Sequence, residues 1–300
     1  MRGFAKACIV TPEHFNRGDV VALMNGFIDE GSMTLVYSPP KQGKSWLAYG
    51  AAKYLASCKE IEEVYYLDMD NSFSTMKSRG FDKILFKIDG FSCMTKSTIQ
   101  GTPLDKLKEI ATYAKAGSFN KTVFVIDTIK DFIDFNNPTQ AKVFMNLLVE
   151  MRDAGATILL LHHSTKNEKS ISGDQAFTNT PDSVYSLNQT NHEGEKLFFS
   201  LQVTHARGMM EDKNFSVDTL TLEIQEEEDP NVMLDEEQRS FVSLTKEILR
   251  KEPNGLNKSS LLGKLGYRKD DKRHGAMLEA WVDTFWCVHK ERNIKIFILK

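Results

Sequence analysis

The segment SPPKQGKS, Ser38–Ser45, has the residue types of a loop that binds phosphate groups. Gly43, Lys44 and Ser45 match the end of the pattern G-x-x-x-x-G-K-[ST], in which backbone N–H groups at a helix start face an anion. In that pattern the lysine reaches the β- and γ-phosphates and the serine hydroxyl ligates Mg²⁺. Ser38 stands where the pattern has Gly, and the alternative is a surface loop whose Ser45 caps a helix. We predict ATP and Mg²⁺ binding through Pro40, Lys41, Gln42, Gly43, Lys44, Ser45 and Trp46.

Two further apolar runs end in carboxylates. VFVIDT, Val123–Thr128, ends in Asp127, which we predict to hold the Mg²⁺ hydration shell together with Ser45. YYLDMD ends in Asp68 and Asp70, one of which could position an attacking water as general base. We assign that role to Asp70, with the capping of the next helix as the alternative.

Histidine and arginine end two later runs. LLLHHSTK carries His162 and His163, which point to opposite faces of a strand, so a shared metal ion is not expected. A polar group at this strand end could sense the γ-phosphate, or could simply bond a neighbouring carbonyl. VTHARGM ends in Arg207, which could reach a neighbouring subunit's nucleotide as a finger or lie at a surface turn.

Alternating strands and helices must bring these side chains together. Short apolar runs alternate with segments of helical period from Met33 to Leu161, which predicts an α/β fold with a parallel central sheet. We read the short runs at 34–37, 64–67, 84–87, 123–126 and 157–161, and later strands at 183–187, 197–203 and 219–224. Helices at 236–251, 258–265 and 270–286 and a strand at 294–299 predict a small C-terminal, winged-helix-like unit.

Composition excludes several classes of protein. The 300 residues are 41% hydrophobic, which excludes a mostly disordered chain. No apolar run reaches the roughly 18 residues of a membrane span, and the first residues lack a secretory signal. The four cysteines are far apart, so neither a disulfide framework nor a zinc site is expected, and we predict a cytoplasmic protein. Residues 239–300 hold fourteen Lys and Arg against seven Asp and Glu, which predicts either a unit that approaches a polyanion or one solvated basic face.

Taken together, the motifs over residues 20–225 resemble RecA/DnaB-type ATPases, and most of all the plasmid RepA-like hexameric helicases. The resemblance implies a RecA-like P-loop NTPase core, with Lys44 and Ser45 on nucleotide and Mg²⁺ and Asp127 as the Walker-B acid. Asp70 falls where the family usually has a catalytic Glu. His163 matches the sensor position, and Arg207 matches the residue that acts across the subunit interface.

The resemblance also implies a ring of six subunits around single-stranded DNA. Its loops would grip the strand at about residues 130–138 and 164–175, with Lys130, Lys166 and Lys169 as phosphate contacts. Phe132 and Phe135 are possible stacking groups, although core packing is expected for at least one. The C-terminal helix region RKDDKRH could lie on DNA, pack in the ring or dock a partner.

These observations predict an ATP-driven DNA helicase or translocase that serves replication of a phage, plasmid or similar element. The chain could also be the helicase part of a larger primase–helicase, and a primase, polymerase or initiator is an expected partner. The alternatives are a RecA-like ATPase switch that does not unwind DNA and a small-molecule kinase. We divide the sequence into an extension, an ATPase core, an acidic linker and a C-terminal domain, at 1–19, 20–225, 226–237 and 238–300.

Overall fold

A computed structural model describes residues 20–165, 170–291 and 293–300. The described chain forms two compact units. The larger unit runs to Gln189 and continues over Glu195–Glu226, and the smaller unit comprises Thr190–Gly194 and Glu227–Lys300. The predicted extension at 1–19 lies outside the described residues. Within them, no helix combines the length and the apolar character needed to cross a membrane.

A nine-stranded sheet forms the centre of the larger unit. A short ribbon, β1 (Ala22–Leu23) with β2 (Ile28–Asp29), precedes it. The sheet strands are β3 (Met33–Ser38), β4 (Glu63–Asp68), β5 (Phe91–Thr95), β6 (Thr122–Asp127), β7 (Thr157–His163), β8 (Ser183–Glu193), β9 (Lys196–Ala206), β10 (Lys213–Asp218) and β11 (Ile224–Glu226).

The strand order is β11-β10-β9-β8-β3-β7-β6-β4-β5, and the strands from β8 to β5 run parallel. This arrangement confirms the predicted α/β class with a mostly parallel sheet. The register pairs Ser38 with His163 and Asp68 with Asp127. Because parallel strands end at the same edge, the chemically active strand ends meet there.

Helices cover both faces of this sheet. They are α1 (Lys44–Ala56), α2 (Phe73–Ser78), α3 (Phe81–Ile84), α4 (Pro103–Ala111), α5 (Pro138–Asp153) and α6 (Ala176–Asn179). Val36 packs with Leu47 of α1 in one buried cluster, whereas its neighbour Leu35 packs with Phe144 of α5 in another. The strands therefore lack polar alternation because both of their faces are buried.

Two predicted strands are wrong. Residues 84–87 end in a 3-10 turn, Leu85–Lys87, and the strand follows as β5 with alternating burial. The predicted strand at 219–224 is a turn between β10 and β11, because the Asp218 carboxylate accepts hydrogen bonds from the backbone N–H groups of Leu220 and Thr221. This turn chemistry outweighs the local β propensity.

The smaller unit contains three helices and a three-stranded antiparallel sheet. Its elements are α7 (Glu236–Lys251), β12 (Leu256–Asn257), α8 (Lys258–Lys264), α9 (Lys272–Ala280), β13 (Trp286–Glu291) and β14 (Ile294–Leu299). Leu249, Trp286 and Phe297 share its core. The third helix ends earlier than predicted, because Trp286 begins a strand that pairs with β14. The winged-helix assignment stays a prediction.

Gly90 directly precedes β5, and its substitution tests how closely the chain packs at this position. Its φ is +78°, and a Cβ there would lie 2.4 Å from the Glu62 carbonyl oxygen. Gly31 has φ +71° and nothing within 4 Å of such a Cβ, so Gly31→Ala is the matched control. We expect Gly31→Ala to lower the free energy of unfolding by about 1–2 kcal/mol through backbone strain, and Gly90→Ala by about 3–5 kcal/mol. Urea denaturation measures both, and equal losses would contradict this packing.

Candidate functional site

A cleft of about 480 Å³ opens at the carboxyl edge of the parallel strands. This volume suits a small-molecule ligand. Nine of the residues predicted to act in catalysis or binding line it: Pro40, Lys41, Gly43, Lys44, Ser45, Trp46, Asp70, Lys130 and His163. Gln42 belongs to the same loop but does not line the cleft, and its Oε1 accepts a hydrogen bond from the backbone N–H of Gln189 at 3.1 Å.

The phosphate loop connects β3 to α1 through a left-handed glycine. Gly43 has φ +75°, and a Cβ there would lie 2.6 Å from the Phe199 ring, so glycine is required for both reasons. Ser38, the departure from the pattern, is the last residue of β3 and does not have a positive φ. A side chain is therefore tolerated at that position.

The Lys44 ammonium group is held inside the loop. Its Nζ donates to the Ser38 hydroxyl at 2.9 Å and to the carbonyl oxygens of Ser38 and Pro39 at 3.0 and 2.9 Å. Burial lowers the pKa of Lys44 to about 8, although the Asp127 carboxylate acts in the opposite direction. A phosphate group in this cleft would add a counter-charge and favour the ammonium form.

Two carboxyl groups lie side by side beneath the cleft. Asp127 is fully buried, and Tyr66 donates to its Oδ2 at 2.9 Å. Burial and the neighbouring Asp68 raise the pKa of Asp127 to about 7, although the hydroxyl groups of Ser45 and Tyr66 act to lower it. Its Oδ1 has no hydrogen-bond partner among the described residues. A buried carboxylate oxygen left without a donor beside the Ser45 hydroxyl fits a hydrated Mg²⁺ ion.

Asp68 has a structural role instead. Its carboxylate accepts hydrogen bonds from the Tyr49 hydroxyl at 2.9 Å and from the backbone N–H and side-chain amide of Asn71. These donors oppose the effect of burial, which still raises the pKa of Asp68. Among the described residues no three His, Cys, Asp or Glu side chains form a cluster that could hold a metal ion. Binding of a cation by Ser45 and Asp127 stays a prediction.

Asp70 faces the cleft and forms an ion pair with Lys130, with Nζ and Oδ1 2.9 Å apart. It does not cap the next helix, because the Ser72 hydroxyl accepts from the N–H of Thr75 at the start of α2. Lys130 also lines the cleft, and its contact with DNA stays a prediction. Both side chains are partly exposed, so a phosphate group can compete for Lys130.

The two histidines of β7 have different surroundings. His162 is buried, and its Nε2 is 2.8 Å from the carbonyl oxygen of Ser172, which ties the following loop to the strand. His163 lines the cleft, and neither of its ring nitrogens has a hydrogen-bond partner among the described residues. Burial and the nearby Lys44 lower the pKa of His163 to about 4, so its imidazole is neutral at physiological pH.

Arg207 lies at the opposite edge of the sheet from the cleft. Its backbone N–H donates to the Asp182 carbonyl, and Asp182 in turn bonds the first residue of β3. The Arg207 guanidinium donates to the carbonyl oxygens of Asn179 and Thr180 at 2.9 and 3.1 Å. The side chain is about half exposed and does not line its own subunit's cleft.

The remaining predicted nucleic-acid contacts, Lys166 and Lys169, lie outside the described residues. Phe132 is buried and packs against Phe144, so it belongs to the core. Phe135 is half-buried and contacts the His162 ring edge-on, with centroids 5.3 Å apart.

Sequence reasoning missed five cleft residues, which are Asn71, Arg79, Thr128, Gln189 and Leu197. For Arg79, the available signal was a cation nine positions after Asp70, directly after the helix that follows the same strand. That spacing alone does not predict that Arg79 folds back over Trp46, because the contact depends on tertiary packing.

A family model described as an AAA domain matches residues 19–169. The matched range contains the phosphate loop, Asp127 and His163, and it ends before β8 and Arg207. A comparison with curated proteins finds no match.

The raised pKa of Asp127 has a measurable consequence for stability. The folded, nucleotide-free protein binds the Asp127 proton more tightly than the unfolded chain, so this group's stabilisation is complete below its ordinary pKa of 3.8 and is lost as pH rises from there to about 7. Asp127→Asn resembles the protonated form at every pH. We expect the gain in the free energy of unfolding of this variant over the wild type to be larger at pH 8 than at pH 5 by about 1–3 kcal/mol.

Urea denaturation without nucleotide at both pH values measures this difference. Asp70→Asn is the control, since it removes only a partly exposed ion pair worth less than about 1 kcal/mol. A destabilised Asp127→Asn at pH 8 would contradict the electrostatics described for this carboxyl group.

Proposed function

The chain belongs to the AAA-domain family of P-loop ATPases, and we propose that it is a ring-forming, ATP-driven DNA helicase or single-stranded DNA translocase. In this proposal it serves replication of a phage, plasmid or similar element, and six copies surround the strand. The observation that carries the proposal is the position of Arg207. This residue lies at the edge of the sheet opposite its own subunit's cleft. An arginine so placed serves catalysis only at another subunit's nucleotide.

Each cleft residue has a defined task in this proposal. The loop amides and the Lys44 ammonium bind the phosphate chain and offset its charge. Mg²⁺, held by the Ser45 hydroxyl and Asp127, would draw charge from the phosphates when bound. Asp70 accepts a proton from the attacking water, and its ion pair with Lys130 holds its carboxylate in the cleft.

The β7 histidines connect this chemistry to the next loop. His163 presents a neutral imidazole to the cleft, which can donate a hydrogen bond to a terminal phosphate group. His162, one residue earlier, bonds the Ser172 carbonyl oxygen on the returning loop. A shift of the strand end on phosphate release would therefore reach residues 164–175, the segment proposed to hold DNA.

The Asp70–Lys130 pair also favours a second function, an ATPase switch that does not unwind DNA. Lys130 is one of three lysines proposed to contact DNA, and the pair holds it at the nucleotide cleft. Under this alternative, the basic C-terminal segment at 239–300 docks a protein or DNA partner. The steady-state ATP hydrolysis rate with and without single-stranded DNA separates the two functions. Stimulation that weakens with salt supports the motor, and indifference to DNA supports the switch.

Lys44→Ala tests the phosphate loop. We expect hydrolysis to fall at least about 100-fold, because a preorganised cation on the transferred phosphate is lost. Circular dichroism should show an unchanged fold. Lys59→Ala, which removes an exposed cation that does not line the cleft, is the control and should retain most of the activity.

Mixtures of inactive variants test the role of Arg207. Arg207→Ala and Lys44→Ala subunits, combined, form some interfaces that pair an intact loop with an intact arginine. We expect such mixtures to hydrolyse ATP faster than either parent variant alone. His205→Ala, a variant on the same strand, is the control and should hydrolyse ATP at the wild-type rate without mixing. Mixtures that never exceed their parents would contradict action across the interface.

A further inference from the structure

Arg79 enters the nucleotide cleft from the segment that follows α2. Its guanidinium carbon lies 5.3 Å from the centroid of the Trp46 ring and 5.9 Å from that of Tyr49. Trp46 directly follows Ser45 on the first turn of α1, and all three residues, Ser45, Trp46 and Arg79, line the cleft. The stacking therefore holds the cation beside the phosphate-binding end of α1.

The guanidinium retains unused hydrogen-bonding capacity. Among the described residues it makes one hydrogen bond, from Nη1 to the Asn71 Oδ1 at 3.3 Å, and no ion pair with a carboxylate. A guanidinium has five N–H donors in its plane. The N–H groups that do not bond Asn71 are therefore available to an acceptor in the cleft.

We propose that Arg79 binds a phosphate group of the nucleotide in its own subunit. This inference rests on the proposed ATPase function and adds a cation from the same chain to Lys44 and the loop amides. The planar fork of an arginine matches two phosphate oxygens, and no carboxylate competes for it. The proposed ligand is the di- or triphosphate chain rather than the nucleoside.

A hydrogen-bonded network fixes the arginine in place. Asn71 accepts from Arg79 and donates through Nδ2 to the Asp68 carboxylate and to the Tyr49 hydroxyl. Tyr49 donates to the same carboxylate, and its ring also lies near the guanidinium. The end of β4 is thereby linked to the position of the Arg79 guanidinium. Lysine cannot replace arginine here, because an ammonium group neither stacks on two rings nor offers a planar fork.

Calorimetric titration with AMP, ADP and a non-hydrolysable ATP analogue, each with Mg²⁺, tests this inference. We expect Arg79→Ala to weaken binding of the ATP analogue about 10- to 100-fold, the loss that a charge-assisted hydrogen bond supports. Binding of AMP should change by less than about threefold. Arg79→Lys should stay closer to Arg79→Ala than to the wild type.

Two further variants separate the loss of the Arg79 charge from a loss of folding and from a general loss of positive charge nearby. Arg79→Gln retains a donor for Asn71 without the charge and should show the same phosphate-dependent loss with an unchanged Tm. Lys77→Ala removes an exposed cation two residues away and should bind all three nucleotides as the wild type does.

The pattern over the three nucleotides decides the outcome. An equal loss for AMP, ADP and the ATP analogue at unchanged Tm would assign Arg79 to the nucleoside or to the α-phosphate that all three share, and would overturn its assignment to the di- or triphosphate chain. An equal loss together with a lower Tm in Arg79→Gln would make the arginine a structural residue and overturn it too. A wild-type protein that binds none of the three would overturn the proposed ATPase function itself.

Discussion

The adjacent burial of Asp68 and Asp127 is the constraint on which the site depends. The parallel register of β4 and β6 fixes the two carboxyl groups as neighbours at one sheet edge, away from water. Asp68 is stabilised by its hydrogen bonds with Tyr49 and Asn71, whereas Asp127 keeps one oxygen without a donor. This difference in hydrogen bonding gives Asp68 a structural role and leaves Asp127 able to interact with a cation, although both residues end similar strands.

The cations around the cleft follow from the same geometry. Lys44 is enclosed by loop carbonyl oxygens, Lys130 is paired with Asp70, and Arg79 is stacked on aromatic rings. Each cation is held by the protein before any phosphate arrives, so binding requires little reorganisation. Arg207 is the exception, because it lies at the far edge of the sheet and does not line this cleft.

Sequence patterns predicted the parts of the fold that depend on local chemistry. The apolar runs that end in Ser38, Asp127 and His163 became buried parallel strands, and their common edge follows from the α/β topology. β5 was not predicted, because only alternate residues of the strand are buried and the apolar run before it forms a turn. The Asp70–Lys130 pair and the stacking of Arg79 on Trp46 were also beyond prediction, since loops distant in sequence create them only after the sheet has assembled.

The central claim is that a magnesium–nucleotide complex binds against Asp127 and restores its negative charge. Calorimetric titration of Mg²⁺ and ADP at pH 7, in two buffers of different ionisation enthalpy, measures the protons exchanged on binding. Because burial raises the pKa of Asp127 to about 7 and a bound cation lowers it, the account predicts net proton release by the wild type. The release should be absent in Asp127→Asn. Binding with no proton exchange in the wild type, or with the same release in both proteins, would contradict the account.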